Sequence, residues 1–226
     1  MLQPRKTMDT KKPFVITISR ELGSGGRTIG RKLAAQLNVR YSDKNLIQDL
    51  REKFKLSTYE IEKIKGTKKN WLTEMLDIVA PVPNSGAYIG FEANKGDDWK
   101  LNKVKADDIF EAEAEILKGI AAEGSCVIAG RSAFFVLKDH PNKLDIFIQA
   151  PLEKRVERVM EKQNLTKEEA LTVIESVDKS RETYVQRYAG TSRYDVRNYD
   201  LVLNTGDLSD EDAVACILKF IKYATK

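Results

Sequence analysis

Phe14-Val-Ile-Thr-Ile-Ser-Arg-Glu-Leu-Gly-Ser-Gly-Gly-Arg-Thr28 is an apolar run that passes directly into a glycine-rich turn. Its apolar half is short and rich in β-branched residues, which predicts a buried strand. Three apolar residues then recur at intervals of four, at Ile29, Leu33 and Leu37. This spacing predicts one face of a helix, with Asn38 as its stop. A strand, a glycine-rich loop and a helix in this order indicate the opening unit of an α/β nucleotide-binding fold.

The same alternation continues along most of the chain. Further strands are predicted at 39–42, 126–129, 144–148 and 200–204. Helices are predicted at 43–54 and 107–123, from Pro151, from Thr166, and after a Ser209 cap. Short, continuous apolar strands separated by helices indicate a parallel sheet of about five strands that is buried on both faces. The fold class is therefore α/β, with three layers in the order helix, sheet, helix.

Two segments depart from this pattern. Residues 1–12 are basic and polar, and we interpret them as a disordered leader to a single domain over 13–226. Residues 57–106 are interpreted as an irregular or acceptor-binding insertion: a short helix is predicted after a capping box of Ser57 and Glu60, and residues 66–106 then lose their periodicity and contain prolines and glycines.

Composition excludes several classes of function. Of 226 residues, 42% are apolar, and no run approaches the length of a membrane span. Two cysteines and one histidine are too few for a disulfide framework, a zinc site or a histidine-based triad. A net charge of +4 is too small to predict nucleic-acid binding. We expect a cytoplasmic protein with reduced thiols and no membrane or nucleic-acid partner, and the sequence does not indicate its oligomeric state.

The loop Gly23-Ser-Gly-Gly-Arg-Thr28 is the strongest functional signal. Glycines let several backbone N–H groups converge at the start of a helix, where they can bind phosphate. The match to the P-loop pattern G-x-x-x-x-G-K-[ST] is incomplete. Arg20 stands at the first glycine, Gly26 at the lysine and Arg27 at the first hydroxyl, whereas Thr28 keeps a hydroxyl one position later.

Two alternatives for this loop remain open. It could be a tight turn with a purely structural role. It could also be a dinucleotide fingerprint, since Asp43 stands twenty residues beyond Gly23, where an acid could bind a ribose. The third glycine of that fingerprint is absent, and Asp43 could equally cap a helix.

Three further segments, together with the loop, resemble the cytidylate kinase-like family. Ile16 to Gly30 resembles the family's opening segment, and Val127-Ile-Ala-Gly-Arg-Ser132 resembles its Gly-Arg-Asp strand end. Ala150 to Arg158, with Asp178-Lys-Ser-Arg-Glu-Thr-Tyr184, resembles the lid, and Asn198 to Thr205 resembles the last strand. The resemblance covers most of residues 14–221 and is weakest over 57–106.

The resemblance implies a P-loop nucleoside monophosphate kinase that uses ATP and Mg²⁺, with CMP or dCMP as acceptor. It also implies a helical insertion and an arginine-bearing lid over 151–190. Residues Gly23, Ser24, Gly25, Gly26, Arg27 and Thr28 would then hold the donor phosphates, and Thr28 would bind Mg²⁺. Asp43, Arg131 and Ser132 would contact the acceptor.

Arginines would supply the positive charge that phosphoryl transfer needs. Arg27 is the candidate for the cation that Gly26 does not provide, because a guanidinium grips two phosphate oxygens at once. Arg131 follows a buried strand and would bind the acceptor phosphate. In the lid, Arg155 and Arg158 are candidates for donor binding, and Arg181 and Arg187 for catalysis.

Two other functions stay open. Gly26 in place of lysine suits a nucleotide-binding protein with little catalysis. Ser132 in place of the family's aspartate suits a kinase with another small acceptor.

Overall fold

The computed structural model describes residues 8–43, 53, 105–130 and 132–224. Within these residues, one sheet of five parallel strands has the order β2-β3-β1-β4-β5. The strands are β1 (Val15–Arg20), β2 (Arg40–Ser42), β3 (Cys126–Ala129), β4 (Lys143–Gln149) and β5 (Leu201–Asn204). The chain leaves β1 for β2 on one side and later reaches β4 on the other. Ligands bind in such sheets at the carboxyl ends of the strands where this reversal occurs, which here is the end of β1.

Helices cover both faces of the sheet, as the α/β prediction requires. We number them over the described residues as α1 (Gly26–Gln36), α2 (Ala106–Ala122), α3 (Ala133–Val136), α4 (Leu152–Gln163), α5 (Lys167–Ala189) and α6 (Asp210–Ala224). A 3₁₀ turn spans Val196–Asn198. None of the helices in the described ranges is long and apolar enough to cross a membrane.

The alternation of side chains along β1 sends its apolar residues into two cores. Ile16 and Ile18 pack with α1 and α6. Val15 packs on the other face with α2 and the residues around α3. A third cluster joins α4 to α5 and includes Leu22 of the glycine-rich loop at its margin. The three-layer fold is therefore confirmed, and α4 and α5 form a layer beside the loop.

Capping residues set several helix ends where the sequence predicts them. The Thr166 hydroxyl accepts a hydrogen bond from Glu169 N, and the Glu169 carboxylate accepts one from Thr166 N at 2.8 Å. Ser209 caps α6 by accepting a bond from Asp212 N at 3.1 Å. These reciprocal bonds satisfy N–H groups that a helix start otherwise leaves unpaired.

Residues 8–12 differ from the expected disordered leader. Met8 is 1% exposed and packs in the core beside Phe14. Its N–H donates to Ala224 O at 3.0 Å, and Asp9 N donates to Asn142 Oδ1 at 2.8 Å. An apolar side chain and two backbone bonds fix this segment, although its composition is polar. The insertion up to residue 104, the helix predicted at 43–54 apart from residues 43 and 53, and residues 1–7 lie outside the described residues.

Candidate functional site

The glycine-rich loop joins β1 to α1 through two glycines with left-handed backbone. Gly23 has φ 82° and Gly25 has φ 80°, a region that other residues enter only at a cost. Gly23 also lies against the main chain of α4, because a Cβ at this position would stand 2.6 Å from Arg155 O. The loop therefore needs glycine both for its turn and for its close approach to α4.

The backbone N–H groups of the loop converge on the start of α1. In the described part of the chain, no hydrogen bond is formed by the N–H groups of Gly23, Gly25, Gly26, Arg27 and Thr28. In contrast, Leu22 N donates to Asp178 Oδ1 at 3.1 Å. A group of available donors at the positive end of a helix fits the phosphates of a nucleotide.

Hydrogen bonds of Ser24 and Arg158 fix the conformation of the loop. Ser24 is buried, and its hydroxyl donates to Glu21 O at 2.9 Å. Its carbonyl accepts a bond from Thr205 Oγ1 at 2.8 Å. Arg158 donates to Thr205 O at 3.0 Å and to Gly23 O at 3.4 Å. In this structure the Arg158 guanidinium thus joins the Gly23 carbonyl of the loop to the Thr205 carbonyl that follows β5.

The buried carboxylate of Asp178, on α5, forms ion pairs with three arginines. Arg155 Nη1 lies 2.6 Å from Asp178 Oδ2. Arg181 and Arg193 lie 3.3 and 3.4 Å from Asp178 Oδ1, which also accepts the bond from Leu22. Since the arginines come from α4, α5 and the following segment, this carboxylate joins the lid region to the loop.

Arg181 and Arg193 also bind the end of β1, where both donate to the carbonyl oxygen of Arg20. Burial lowers the pKa of Arg181, and the nearby guanidinium groups of Arg20 and Arg193 lower it further. Positive charges are therefore crowded beside the loop. A bound anion would offset this repulsion.

Arg27 and Asp43 form an ion pair on the opposite side of the loop. Arg27 Nε lies 2.6 Å from Asp43 Oδ2, and both side chains are largely buried. Tyr41 Oη is within hydrogen-bond distance of Arg27 O and Asp43 Oδ2. Burial and then the Asp43 charge raise the pKa of Tyr41, so its hydroxyl stays protonated. The structure thus brings two predicted site residues together, next to Thr28 in the first turn of α1.

The remaining predicted residues fall in three places. Ser132 follows β3 with a left-handed backbone, φ 54°, and its carbonyl accepts bonds from the first turn of α3. Arg187 is 54% exposed and pairs with Asp107 at 2.8 Å, away from the contacts of the loop. Arg131 lies outside the described residues.

Sequence reasoning missed Asp178 and Arg193 as site residues, and it gave Glu21 no role. Glu21 Oε1 lies 3.3 Å from Arg155 Nη1, and Glu21 Oε2 accepts a bond from Ala150 N. Asp178 belongs to a quoted lid segment, so the resemblance carried a signal for it. Arg193 follows the end of α5 and offers no periodic signal.

One family model and several relatives match this chain. The model of the "Cytidylate kinase-like family" matches residues 15–207. The cytidylate kinase of Sulfolobus acidocaldarius is 26% identical over 208 residues, which cover 91% of this chain and 93% of the relative. That of Methanopyrus kandleri is 34% identical over 136 residues, which cover 55% and 70%.

Two solved structures resemble the fold. An uncharacterized protein from Eubacterium ventriosum matches with a TM-score of 0.65 and 24% identity, covering 92% of this chain and 98% of that one. A shikimate kinase from Bacteroides thetaiotaomicron matches with a TM-score of 0.50 and 14% identity over the same shares. At these identities the likeness shows the P-loop kinase fold alone.

Proposed function

The chain belongs to the cytidylate kinase-like family, and from this premise we propose that it transfers a phosphoryl group from ATP to a nucleoside monophosphate, CMP or dCMP. The observation that carries the proposal is the set of available N–H groups of Gly23 and of Gly25 to Thr28, next to crowded arginines. Phosphoryl transfer depends on positioning and on positive charge, and this site supplies both. ATP as the phosphoryl donor and the free thiols of Cys126 and Cys216 suit a cytoplasmic protein.

The donor phosphates would bind to the loop N–H groups at the start of α1. Arg181 lies where it could neutralise charge on the transferred group, since it binds the end of β1 and is one-quarter exposed. Arg155 and Arg158 would act through the loop, because their contacts fix its shape.

Mg²⁺ is the metal that the family implies. The described residues contain no group of three or more His, Cys, Asp or Glu side chains arranged to hold a metal ion. Magnesium in kinases needs few protein ligands, because phosphates and waters complete its shell. The Thr28 hydroxyl suits this role, and the ion would neutralise charge between the phosphates. Asp43, Ser132 and Arg131 stay our candidates for acceptor binding.

The test is a turnover assay with ATP, Mg²⁺ and a panel of CMP, dCMP, UMP, AMP and GMP, with the diphosphate product identified by mass spectrometry. We expect CDP or dCDP. Thr28→Val should lower the rate strongly, whereas Thr172→Val, which removes an exposed hydroxyl on α5, should not. No diphosphate from any acceptor would refute the proposal.

A second candidate function is nucleotide binding with little catalysis, and Gly26 at the lysine position favours it. It requires ATP binding by calorimetry without product in the same panel. Turnover of a non-nucleotide hydroxyl compound would instead indicate a kinase with another small acceptor.

A further inference from the structure

The position of the absent P-loop lysine is filled by another side chain. A Cβ at Gly26 would stand 2.6 Å from Arg20 Cβ and 3.0 Å from Arg20 Cγ. Contacts shorter than 3.0 Å do not occur between such atoms, so no lysine fits at position 26 while Arg20 keeps this place. The absence of a side chain at Gly26 thus leaves the space that Arg20 occupies.

The guanidinium of Arg20 reaches the end of the neighbouring strand. Gly130 follows β3 with φ 84°, and a Cβ there would stand 1.8 Å from Arg20 Nη1. The side chain therefore runs from the end of β1, across the first residue of α1, to the end of β3. Gly26 and Gly130 make room for its stem and for its charged end.

This route ends where the two substrates of a kinase must meet. The loop that would hold the donor phosphates lies at one end of the route, and the strand end with Ser132, a candidate acceptor residue, lies at the other. The positive charge of Arg20 contributes to the lowered pKa of Arg181, after burial, and opposes the rise in the pKa of Tyr41.

Arg27 is the cation that the sequence favoured for this role. Arg27 Nε lies against Asp43, and this pair is largely buried. The Nε edge of this guanidinium therefore faces a carboxylate of the chain itself.

We propose that Arg20 replaces the P-loop lysine and binds the terminal phosphates of ATP between the ends of β1 and β3. The proposal rests on the proposed function for the identity of the donor. A guanidinium can hold two phosphate oxygens at once, which an ammonium group cannot do with the same geometry.

The first experiment measures ATP and AMP binding to Arg20→Met by calorimetry. Loss of a charge-assisted contact should weaken ATP binding by about ten- to a hundredfold and leave AMP binding within about twofold. Arg40→Met is the matched control, since Arg40 is an exposed arginine at the start of β2 that pairs with Glu123. An equal loss for ATP and AMP, or no loss, would overturn the proposal.

The second experiment exchanges the two positions. Gly26→Lys alone should abolish ATP binding, because its side chain meets Arg20. The double variant Arg20→Gly with Gly26→Lys restores the first glycine and the lysine of the P-loop pattern, with Arg27 still at the hydroxyl position, and should bind ATP within about tenfold of the wild type. A double variant that binds no better than Arg20→Gly alone would contradict the exchange. Circular dichroism of each variant establishes folding. If Arg20→Met does not fold, Arg20→Lys is measured in its place and should retain partial ATP binding.

These binding readouts separate the two proposals. A wild-type protein that binds ATP but transfers nothing would refute the proposed function, and the affinities of the variants would still decide the role of Arg20. Normal turnover by Arg20→Met would refute only the role of Arg20.

Discussion

Asp178→Asn should destabilise the protein strongly, because one buried carboxylate holds three arginines. Asp178 is 6% exposed and lies 2.6, 3.3 and 3.4 Å from Arg155, Arg181 and Arg193. An asparagine keeps an acceptor for Leu22 N but removes the negative charge. Breaking a buried ion pair in this way costs about 3–5 kcal/mol. For a chain of this size, that corresponds to a fall in Tm of roughly 6–20 °C.

Thermal and urea unfolding, followed by circular dichroism, measure this loss directly. Glu211→Gln is the control, because it removes a carboxylate from the exposed pair with Lys32, and its midpoint should match the wild type. ATP should stabilise Asp178→Asn more weakly than it stabilises the wild type, since the loop loses its anchor to α5. A free energy of unfolding within about 1 kcal/mol of the wild type would refute the reasoning about a shared buried charge.

Three other outcomes are expected. Gly23→Ala should lose ATP binding in calorimetry, because its Cβ meets the main chain of α4 and φ is 82°, whereas Gly119→Ala, with open space around it, should bind ATP normally. Lys143→Met should lower the free energy of unfolding in urea by about 3 kcal/mol, because it removes the cation that lies 2.7 Å from the buried Asp145 carboxylate; an unchanged value would count against that ion pair. Burial raises the pKa of Cys126 from 9.0 to about 11, so the unfolded chain loses this proton first. Stability should therefore fall between pH 9 and 11, and Cys126→Val should reduce that slope in unfolding measured at each pH; an equal slope would refute the assignment.

The sequence predicted the framework of the fold closely. The apolar run at 126–129 coincides with β3, and the other described strands begin or end within two residues of their predicted limits. Continuous apolar runs are strong signals because both faces of a parallel strand are buried. The four-residue helix α3 was not predicted, since one helical turn is too short to show periodicity.

The candidate site was harder to predict, because its contacts join distant parts of the chain. The glycine-rich loop is a local signal, and the expectation of a phosphate site there stays a prediction. Arg27 was chosen as the cation that Gly26 does not provide from its spacing alone, and spacing cannot show that Asp43 lies against it. Nor can spacing show that Arg20 crosses Gly26 to reach Gly130, since that depends on the pairing of β1 with β3.

The hydrogen bond from Thr205 to Ser24 can form only late in translation, because its two residues are synthesised at different times. These residues are 181 positions apart, and Leu22 is 156 positions from Asp178. A ribosome that adds about 5–20 residues per second needs roughly ten to forty seconds to cover the longer of these distances. Throughout that interval the loop has been synthesised but lacks the partners that fix its shape. The glycine-rich loop, which is translated early, is thus completed only when β5, the last strand of the described residues, has emerged.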